Sequence, residues 1–230
     1  MIDLHSHILP GVDDGSDSVE MSCAMLRELQ TQGVETVVAT PHFYALQDTP
    51  EAFLQRRTEA AEQMAGSVEN APQLLLGAEI AYFDGLSSSE VPEKLQIENT
   101  GLVLVEMPFA AWTPRAIREI CQMPAMTGLT PVLAHIDRYR RPDQFPKYRD
   151  ELLANGALFQ CNAEAFLPRW DRRWALQLFR QGCIHFLGTD AHNMTSRKPC
   201  IDQAAQVIRQ KLGMDLLDDF CSEARELLKR

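Results

Sequence analysis

Three histidines stand near the beginning of the chain in an arrangement that suits metal binding. His5 and His7 are two residues apart in a short apolar run, and His42 ends the next such run. Side chains two positions apart on a β-strand leave the same face, so both imidazoles can reach one ion. The spacing therefore predicts a metal site, and a chance surface pair is the alternative when His-x-His stands alone.

The ends of later apolar runs carry the same kinds of side chain. These residues are Glu79, Glu106, His135, Asp190 and His192. An isolated carboxylate at the end of a buried strand is costly, so these acids should be metal-bound or paired with other barrel residues. Together with the first three histidines they make eight nitrogen and oxygen donors, more than one tetrahedral or octahedral ion needs. We therefore expect two or three divalent ions with a bridging carboxylate.

The elements that must position these donors alternate along the chain. Short apolar or β-branched runs predict strands at 1–5, 35–40, 73–80, 102–107, 131–135, 157–162 and 184–189. Longer patterns predict helices at 18–32, 51–65, 113–123, 147–154, 169–181, 201–211 and 216–228. This alternation implies a parallel sheet, and closure into an α/β barrel suits a single domain over residues 1–230. In such barrels the carboxyl ends of the strands meet on one face, so we expect all the donors there.

Composition limits the class of protein. The formal charge of −10 argues against nucleic-acid binding, which needs a basic face. The six cysteines are scattered without a Cys-x-x-Cys pair, which indicates reduced thiols rather than a disulfide framework or a zinc ribbon. The apolar stretches are too short to span a bilayer, and the first residues lack the regions of a signal peptide. We therefore expect a cytoplasmic protein with no membrane insertion and no nucleic-acid partner.

Five motifs together resemble the PHP (polymerase and histidinol phosphatase) superfamily. They are His5-Ser6-His7, Thr40-Pro41-His42, Gly77-Ala78-Glu79 and the runs 134–139 and 188–193. Residues 1–15 are most similar to the bacterial manganese-dependent protein tyrosine phosphatases of capsule and exopolysaccharide synthesis. The resemblance implies a distorted, TIM-like (β/α)7 barrel with a trinuclear metal site. It also implies hydrolysis of phosphotyrosine on a partner protein, a tyrosine autokinase with a tyrosine-rich tail.

The resemblance also assigns roles residue by residue. One ion would be held by His5, His7, Glu79 and Asp190. A second would share Glu79 and add Glu106 and His135. A third would take His42, His192 and one carboxylate of the Asp13–Asp14 pair, of which Asp14 is chosen because it precedes Gly15. Arg138 and Arg197 match the family's phosphate-contacting arginines, and surface arginine is their alternative. Manganese enters only through the resemblance, because iron and zinc accept the same nitrogen and oxygen donors.

Three residues near these motifs have other interpretations. His185 lies in a predicted strand at opposite parity to Asp190, so we expect it to pack against the outer helices. Asp3 shares the parity of His5, and it either orients an imidazole or forms an ion pair at the barrel bottom. The sequence does not name the general acid that would protonate the leaving group. Asp137 is a candidate because it lies close in the sequence to the predicted ligand His135.

Three other functions compete with a tyrosine phosphatase on the sequence alone. A histidinol-phosphate phosphatase would use the same centre on a small metabolite. A polymerase-type PHP module would support a DNA enzyme, against which the acidic charge counts. A regulatory protein would bind metal without catalysis. The oligomeric state also stays open.

Overall fold

A computed structural model describes residues 1–168 and 172–229. Its strands are β1 (Ile2–Ser6), β2 (Thr36–Ala39), β3 (His42–Phe43), β4 (Gln73–Leu76), β5 (Glu79–Ala81), β6 (Leu102–Glu106), β7 (Thr130–Leu133), β8 (Leu158–Asn162) and β9 (Phe186–Gly188). Its helices are α1 (Val19–Thr31), α2 (Pro50–Met64), α3 (Val91–Leu95), α4 (Pro114–Thr127), α5 (Phe145–Ala154), α6 (Arg172–Arg180), α7 (Ile201–Leu212) and α8 (Met214–Leu228). The strands are hydrogen-bonded in the orders β1-β2-β4 and β3-β5-β6-β7-β8-β9, with every pair parallel.

Two of the predicted strands differ in detail from the structure: one is followed directly by a short second strand, and the other is broken in the middle. The strand predicted at 35–40 stops before Pro41, which has no N–H to give to a ladder, and resumes as β3. The strand predicted at 73–80 is interrupted at Gly77, where an added Cβ would lie 2.9 Å from the Ile97 side chain. Because β2 pairs with β4 and β3 pairs with β5, both breaks occur at the same level. If each broken strand is counted once, the sheet has the seven strands that the sequence predicts.

The first and last strands of the sheet approach each other. The N–H of Asp190 donates to the carbonyl of His5 at 2.7 Å, and the N–H of His7 donates to that of Ala191 at 2.9 Å. A Cβ on Gly188 would lie 2.6 Å from the Cβ of His5, so only glycine fits there. The parallel sheet therefore curls round on itself, and the distorted α/β barrel predicted from the sequence is confirmed.

Asp3 helps to hold this approach together. Its fully buried carboxylate accepts hydrogen bonds from the N–H and the hydroxyl of Thr189 at 2.8 and 2.6 Å. Burial raises the pKa of Asp3 to about 6, against the opposing effect of these hydrogen bonds. Within the described part of the chain the carboxylate bonds to no imidazole ring and no cation, so its role differs from both interpretations of the sequence. It joins β1 to the residue after β9.

The helices cover the outside of the sheet and differ from the predictions mainly at their ends. α4 continues through Pro124, where the sequence predicted an end at 123, and it stops at Gly128 in a left-handed conformation. α3 was not predicted. The helix predicted at 169–181 corresponds to α6, and its first residues Arg169–Asp171 lie outside the described residues. None of the described helices combines the length and the apolar character that a membrane span requires.

His185 has a structural role, but the contacts that define it are with β8, where the sequence predicted packing against the outer helices. Its Nδ1 accepts the N–H of Phe159 at 3.0 Å, and its own N–H donates to the Phe159 carbonyl at 2.9 Å. The two rings pack edge to face with centroids 5.8 Å apart. Burial lowers the pKa of His185 to about 4, so the folded protein holds the imidazole neutral.

This lowered pKa predicts a loss of stability in acid. Because an unfolded histidine titrates near 6.5, the contribution of His185 is complete above that pH and is lost as the pH falls toward 4. Between about pH 7 and pH 4.5 the wild type should lose about 2 kcal/mol more unfolding free energy than His185→Asn, whose amide oxygen keeps an acceptor. Urea unfolding of both proteins in chelator measures this difference. Parallel pH dependences of the two proteins would contradict it.

Candidate metal centre

The nine residues predicted as metal ligands lie in short strands or in the loops that follow strands. His5 and Glu106 lie at or near the ends of β1 and β6, and His42 and Glu79 are the first residues of the short strands β3 and β5. The loops carry the others, which are His7, Asp14, His135, Asp190 and His192. His135 and Asp190 have backbone φ angles of 32° and 52°. Residues other than glycine rarely adopt this left-handed backbone conformation, and those that do so concentrate at functional sites. The backbone is thus bent at two strand exits, and both bends bring a predicted ligand into the same cluster.

Glu79 is the centre of the cluster. Its side chain is 1% exposed and is approached by four imidazoles. Oε2 lies 3.0 Å from His42 Nδ1, 3.2 Å from His5 Nε2 and 3.3 Å from His7 Nε2. Oε1 lies 2.8 Å from His135 Nε2. Burial alone would raise the pKa of Glu79, but the imidazoles hold it well below its usual range. Four imidazole nitrogens thus gather around a single buried carboxylate.

Glu106 extends the cluster on the His135 side. Its Oε1 lies 3.3 Å from His135 Nε2, the same nitrogen that meets Glu79. Asp14 extends it on the opposite side, where its Oδ1 lies 3.6 Å from His42 Nε2 and 3.5 Å from His192 Nε2. The Asp14 side chain is 67% exposed, so this end of the cluster faces solvent.

Asp190 is a second carboxylate around which side chains gather. Its Oδ1 lies 3.3 Å from His7 Nε2, 3.6 Å from His192 Nδ1 and 3.7 Å from His5 Nε2. Both predicted phosphate-binding arginines contact it: Arg197 Nη2 donates to Oδ1 at 2.8 Å, and Arg138 Nη2 donates to Oδ2. Against the effect of burial, the histidines and Arg138 hold the pKa of Asp190 far below that of an ordinary aspartate. Asp190 therefore carries a negative charge between the imidazoles and the guanidinium groups.

The donor atoms of this cluster suit divalent cations. Three overlapping groups of donors each lie within 4.8 Å of one another: His7, Asp14, His42 and His192; His5, His7 and Asp190; and His42, Glu79 and Glu106. Buried polar atoms normally have a hydrogen bond, yet Glu79 Oε2, His42 Nδ1 and His192 Nε2 have none among the described residues. These lone pairs belong to imidazoles and carboxylates, which manganese, iron and zinc all accept. The residues fit a centre with more than one ion.

Asp13 was the alternative to Asp14 as a ligand, and its contacts give it a different role. Its Oδ2 lies 2.6 Å from His7 Nδ1 and accepts the N–H of His42 at 2.9 Å, while Oδ1 accepts the N–H of Gly15. An added Cβ on Gly15 would lie 2.2 Å from the carbonyl oxygen of His7, so this turn requires glycine. Asp13 orients the imidazole of His7, and Asp14 is the member of the pair that faces the outer histidines.

Replacing Asp13 with asparagine should weaken the centre without removing a donor. An amide cannot hold His7 in one tautomer as a carboxylate does, so metal affinity should fall about 10- to 100-fold. The protein is first freed of metal with a chelator. Titration with manganese, followed by elemental analysis, then measures the change in affinity. Asp17→Asn, in the same loop but exposed, is the matched control. Equal affinity in Asp13→Asn and the control would contradict this role.

Gln160 and Asn162 on β8 were missed by the sequence reasoning. Gln160 Oε1 accepts the N–H of His135 at 2.6 Å and lies 3.2 Å from His5 Nδ1. Gln160 Nε2 donates to Asn162 Oδ1 at 2.9 Å, and Asn162 Nδ2 donates to Asp190 at 3.0 Å. Their two-residue spacing at the end of a predicted strand was a signal for this face. Asp137 Oδ1 accepts the Asn162 N–H at 2.8 Å, so its carboxylate is engaged with β8.

Two cavities open beside the cluster. One, of about 520 Å³, is lined by residues that include Asp14, His42, Tyr44 and Arg56. The other, of about 150 Å³, lies against the two arginines and is also lined by Asn162, Ser196 and Lys198. A bound group can therefore approach the metal ligands from the solvent and meet positive charge on the Asp190 side.

Comparison with known proteins places this geometry in a family. The family described as capsular polysaccharide synthesis, CpsB/CapC, matches residues 1–229. The tyrosine-protein phosphatase CpsB of Streptococcus pneumoniae is 33% identical over 224 residues, which cover 93% of this chain and 91% of that protein. The tyrosine-protein phosphatase YwqE of Bacillus subtilis strain 168 is 31% identical over 243 residues, with coverage of 100% and 92%.

A solved structure gives the same result in three dimensions. It belongs to a study of YwqE from Bacillus subtilis and CpsB from Streptococcus pneumoniae, which are called unique metal-dependent tyrosine phosphatases. The two folds agree with a TM-score of 0.86 at 27% identity, covering 100% of this chain and 94% of that one. The chain belongs to the CpsB/CapC family of capsular polysaccharide synthesis proteins.

Proposed function

We propose that this chain is a metal-dependent protein tyrosine phosphatase that acts in capsule or exopolysaccharide synthesis. The observation that carries the proposal is the buried Glu79 carboxylate, which meets four imidazoles beside an Asp190 that holds two arginines. Such a site combines ligands for several cations with fixed positive charges for a phosphate. The names of the relatives, tyrosine-protein phosphatases, supply the substrate class.

We assign the ligands of this centre to three ions. His5, His7, Glu79 and Asp190 would hold the first. Glu79, Glu106 and His135 would hold the second. His42, His192 and Asp14 would hold the third. The distances between donor atoms support this assignment, and His7 and His42 each lie close enough to a neighbouring group to be shared. Manganese is the metal we propose, by resemblance to the family.

The residues of the chain have distinct tasks in phosphomonoester hydrolysis. When bound, divalent ions supply Lewis acidity, which polarises phosphoryl oxygens and makes water a nucleophile near neutral pH. Arg138 and Arg197 would donate to the non-bridging oxygens as their charge redistributes. Asp190 holds both guanidinium groups in place beforehand. A tyrosine leaving group, with a pKa of about 10, departs with less help from an acid than an alkyl alcohol needs.

The substrate we propose is a phosphotyrosine-bearing protein, a tyrosine autokinase with its tyrosine-rich tail. The proposed location is the cytoplasm, and support for it comes from six cysteines that are all free thiols. We also propose that residues 1–230 form one catalytic domain, since the family matches residues 1–229 and the sheet closes β1 against β9.

Metal analysis combined with phosphatase assays tests the proposal. The purified chain should contain two or three equivalents of metal, and chelation should abolish hydrolysis of a phosphotyrosine peptide. Reloading with manganese, iron or zinc in parallel identifies the active ion. Histidinol phosphate, assayed beside the peptide, is the competing substrate. A clear preference for histidinol phosphate, or metal binding without release of phosphate from any ester, would overturn the proposed function.

A further inference from the structure

Phe109 is an exposed aromatic side chain at the mouth of the metal centre. It lies in the loop between β6, which ends at Glu106, and α4. Its side chain is 55% exposed, and it is one of five exposed large hydrophobic residues in the described part of the chain. Exposure of a single phenyl ring is ordinary on a protein surface. Its position and the way its loop is held distinguish this ring from a chance surface residue.

The loop that presents Phe109 is fixed by buried side chains. The amide nitrogen Nε2 of Gln144, which is 1% exposed, donates to the carbonyls of Phe109 and Ala110 at 2.8 and 3.0 Å. Trp112 Nε1 donates to the carbonyl of Pro108 at 3.0 Å. Three consecutive backbone carbonyls therefore accept hydrogen bonds from the Gln144 and Trp112 side chains. These hydrogen bonds fix the backbone that carries the Phe109 ring.

One face of the Phe109 ring covers a proposed metal ligand. The ring planes of Phe109 and His135 are 9° from parallel, with centroids 6.0 Å apart. His135 Nε2 in turn contacts Glu79 and Glu106 at 2.8 and 3.3 Å. The phenyl ring thus stands at the edge of the cluster, next to the imidazole that meets both carboxylates.

We propose that Phe109 determines specificity by packing against the aromatic ring of the phosphorylated side chain, so that aryl phosphates bind better than alkyl phosphates. The inference rests on the proposed phosphatase function. A phosphate held at the cluster leaves its ester group to extend outward, and Phe109 lies at the edge of the cluster beside His135. Aromatic rings prefer offset or edge-to-face contacts at centroid distances of about 4.5 to 7 Å. Phe109 already makes such contacts with His135 and Tyr139, at 6.0 and 5.6 Å, and 55% of its side chain is left exposed for another. A serine or threonine phosphate has no ring to place there.

Calorimetric titration of the metal-loaded full chain separates the ring from the phosphate. The ligands are phenylphosphonate, which is not hydrolysed, and orthophosphate, which has no ring. Phe109→Ala should weaken phenylphosphonate about five- to tenfold and leave orthophosphate unchanged. Phe109→Trp should restore tight binding of phenylphosphonate. Met126→Ala, which truncates an equally exposed side chain (53%) on α4, is the control and should change neither affinity.

The outcomes distinguish this inference from the proposed function. Equal affinity of phenylphosphonate for wild type and Phe109→Ala overturns the role of Phe109, whatever the activity. Loss of phenylphosphonate affinity in Tyr44→Ala but not in Phe109→Ala would also overturn it, because the Tyr44 ring lies beside a different histidine, His42, with centroids 5.4 Å apart. If no ester is hydrolysed but Phe109→Ala still weakens phenylphosphonate binding and leaves orthophosphate binding unchanged, the proposed function fails and the aryl contact stands.

Discussion

Replacing Glu79 with glutamine is expected to lower kcat/KM for an aryl phosphate by about a thousandfold or more, the largest effect expected of any single substitution at the centre. The carboxylate meets four imidazoles in a buried site, and it is the proposed bridge between two ions. An amide keeps the volume but removes the charge and one acceptor oxygen, so cations at neighbouring positions lose their shared partner. Metal content should fall together with activity.

Elemental analysis, steady-state kinetics and circular dichroism on the same preparation measure this effect. Glu98→Gln is the control, because Glu98 is a partly buried carboxylate away from the cluster. It accepts the N–H of Leu76 and borders a cavity with Ile2 and Gln73 at the strand starts. The control should keep full metal content and near-normal activity. A Glu79→Gln protein with full metal content and wild-type kcat/KM would be incompatible with a bridging role.

Truncating either arginine that contacts Asp190 should have the second-largest effect on activity. Arg138→Ala and Arg197→Ala should each lower kcat about 100-fold, the size expected when one charged donor to a developing oxyanion is lost. The corresponding lysine variants should recover only part of this, because an ammonium group cannot reproduce the planar fork of guanidinium. The loss should be in kcat more than in KM if the contact strengthens in the transition state.

Measurement of metal content in each arginine variant is essential, since both guanidinium groups contact a proposed ligand. Arg173→Ala, an exposed arginine on α6 that borders a different cavity, is the control. Unchanged kcat in both Arg138→Ala and Arg197→Ala would show that the arginines take no part in the reaction and serve only as ion-pair partners of Asp190.

The sequence was sufficient to predict that the proposed metal ligands lie at one rim. His5, Glu106 and Asp190 stand at or just beyond the ends of apolar runs, and parallel strands carry their ends to a common face. The family and the fold are confirmed, while the individual ligands stay a proposal. The rim was predictable because the pattern of apolar residues locates each strand end, and this pattern depends only on neighbours in the chain.

Contacts between distant strands could not be predicted in the same way. Asp3 bonds to Thr189 and Gln160 bonds to His135 because of where β1, β7, β8 and β9 lie relative to one another. The broken strand at Gly77 depends similarly on the Ile97 side chain and on Arg57, which donates to the Gly77 carbonyl at 2.8 Å. The continuation of α4 through Pro124 shows the same limit, because packing outweighed a local signal for a helix end.

The left-handed backbone at His135 and Asp190 has a consequence for the stability of the fold. An unfavourable conformation of this kind persists only where the surrounding structure imposes it. The hydrogen bonds that the N–H groups of His135 and Asp190 donate to Gln160 Oε1 and to the His5 carbonyl supply part of that support. The protein thus gives up some resistance to unfolding to hold two rim residues in a conformation that their side chains disfavour.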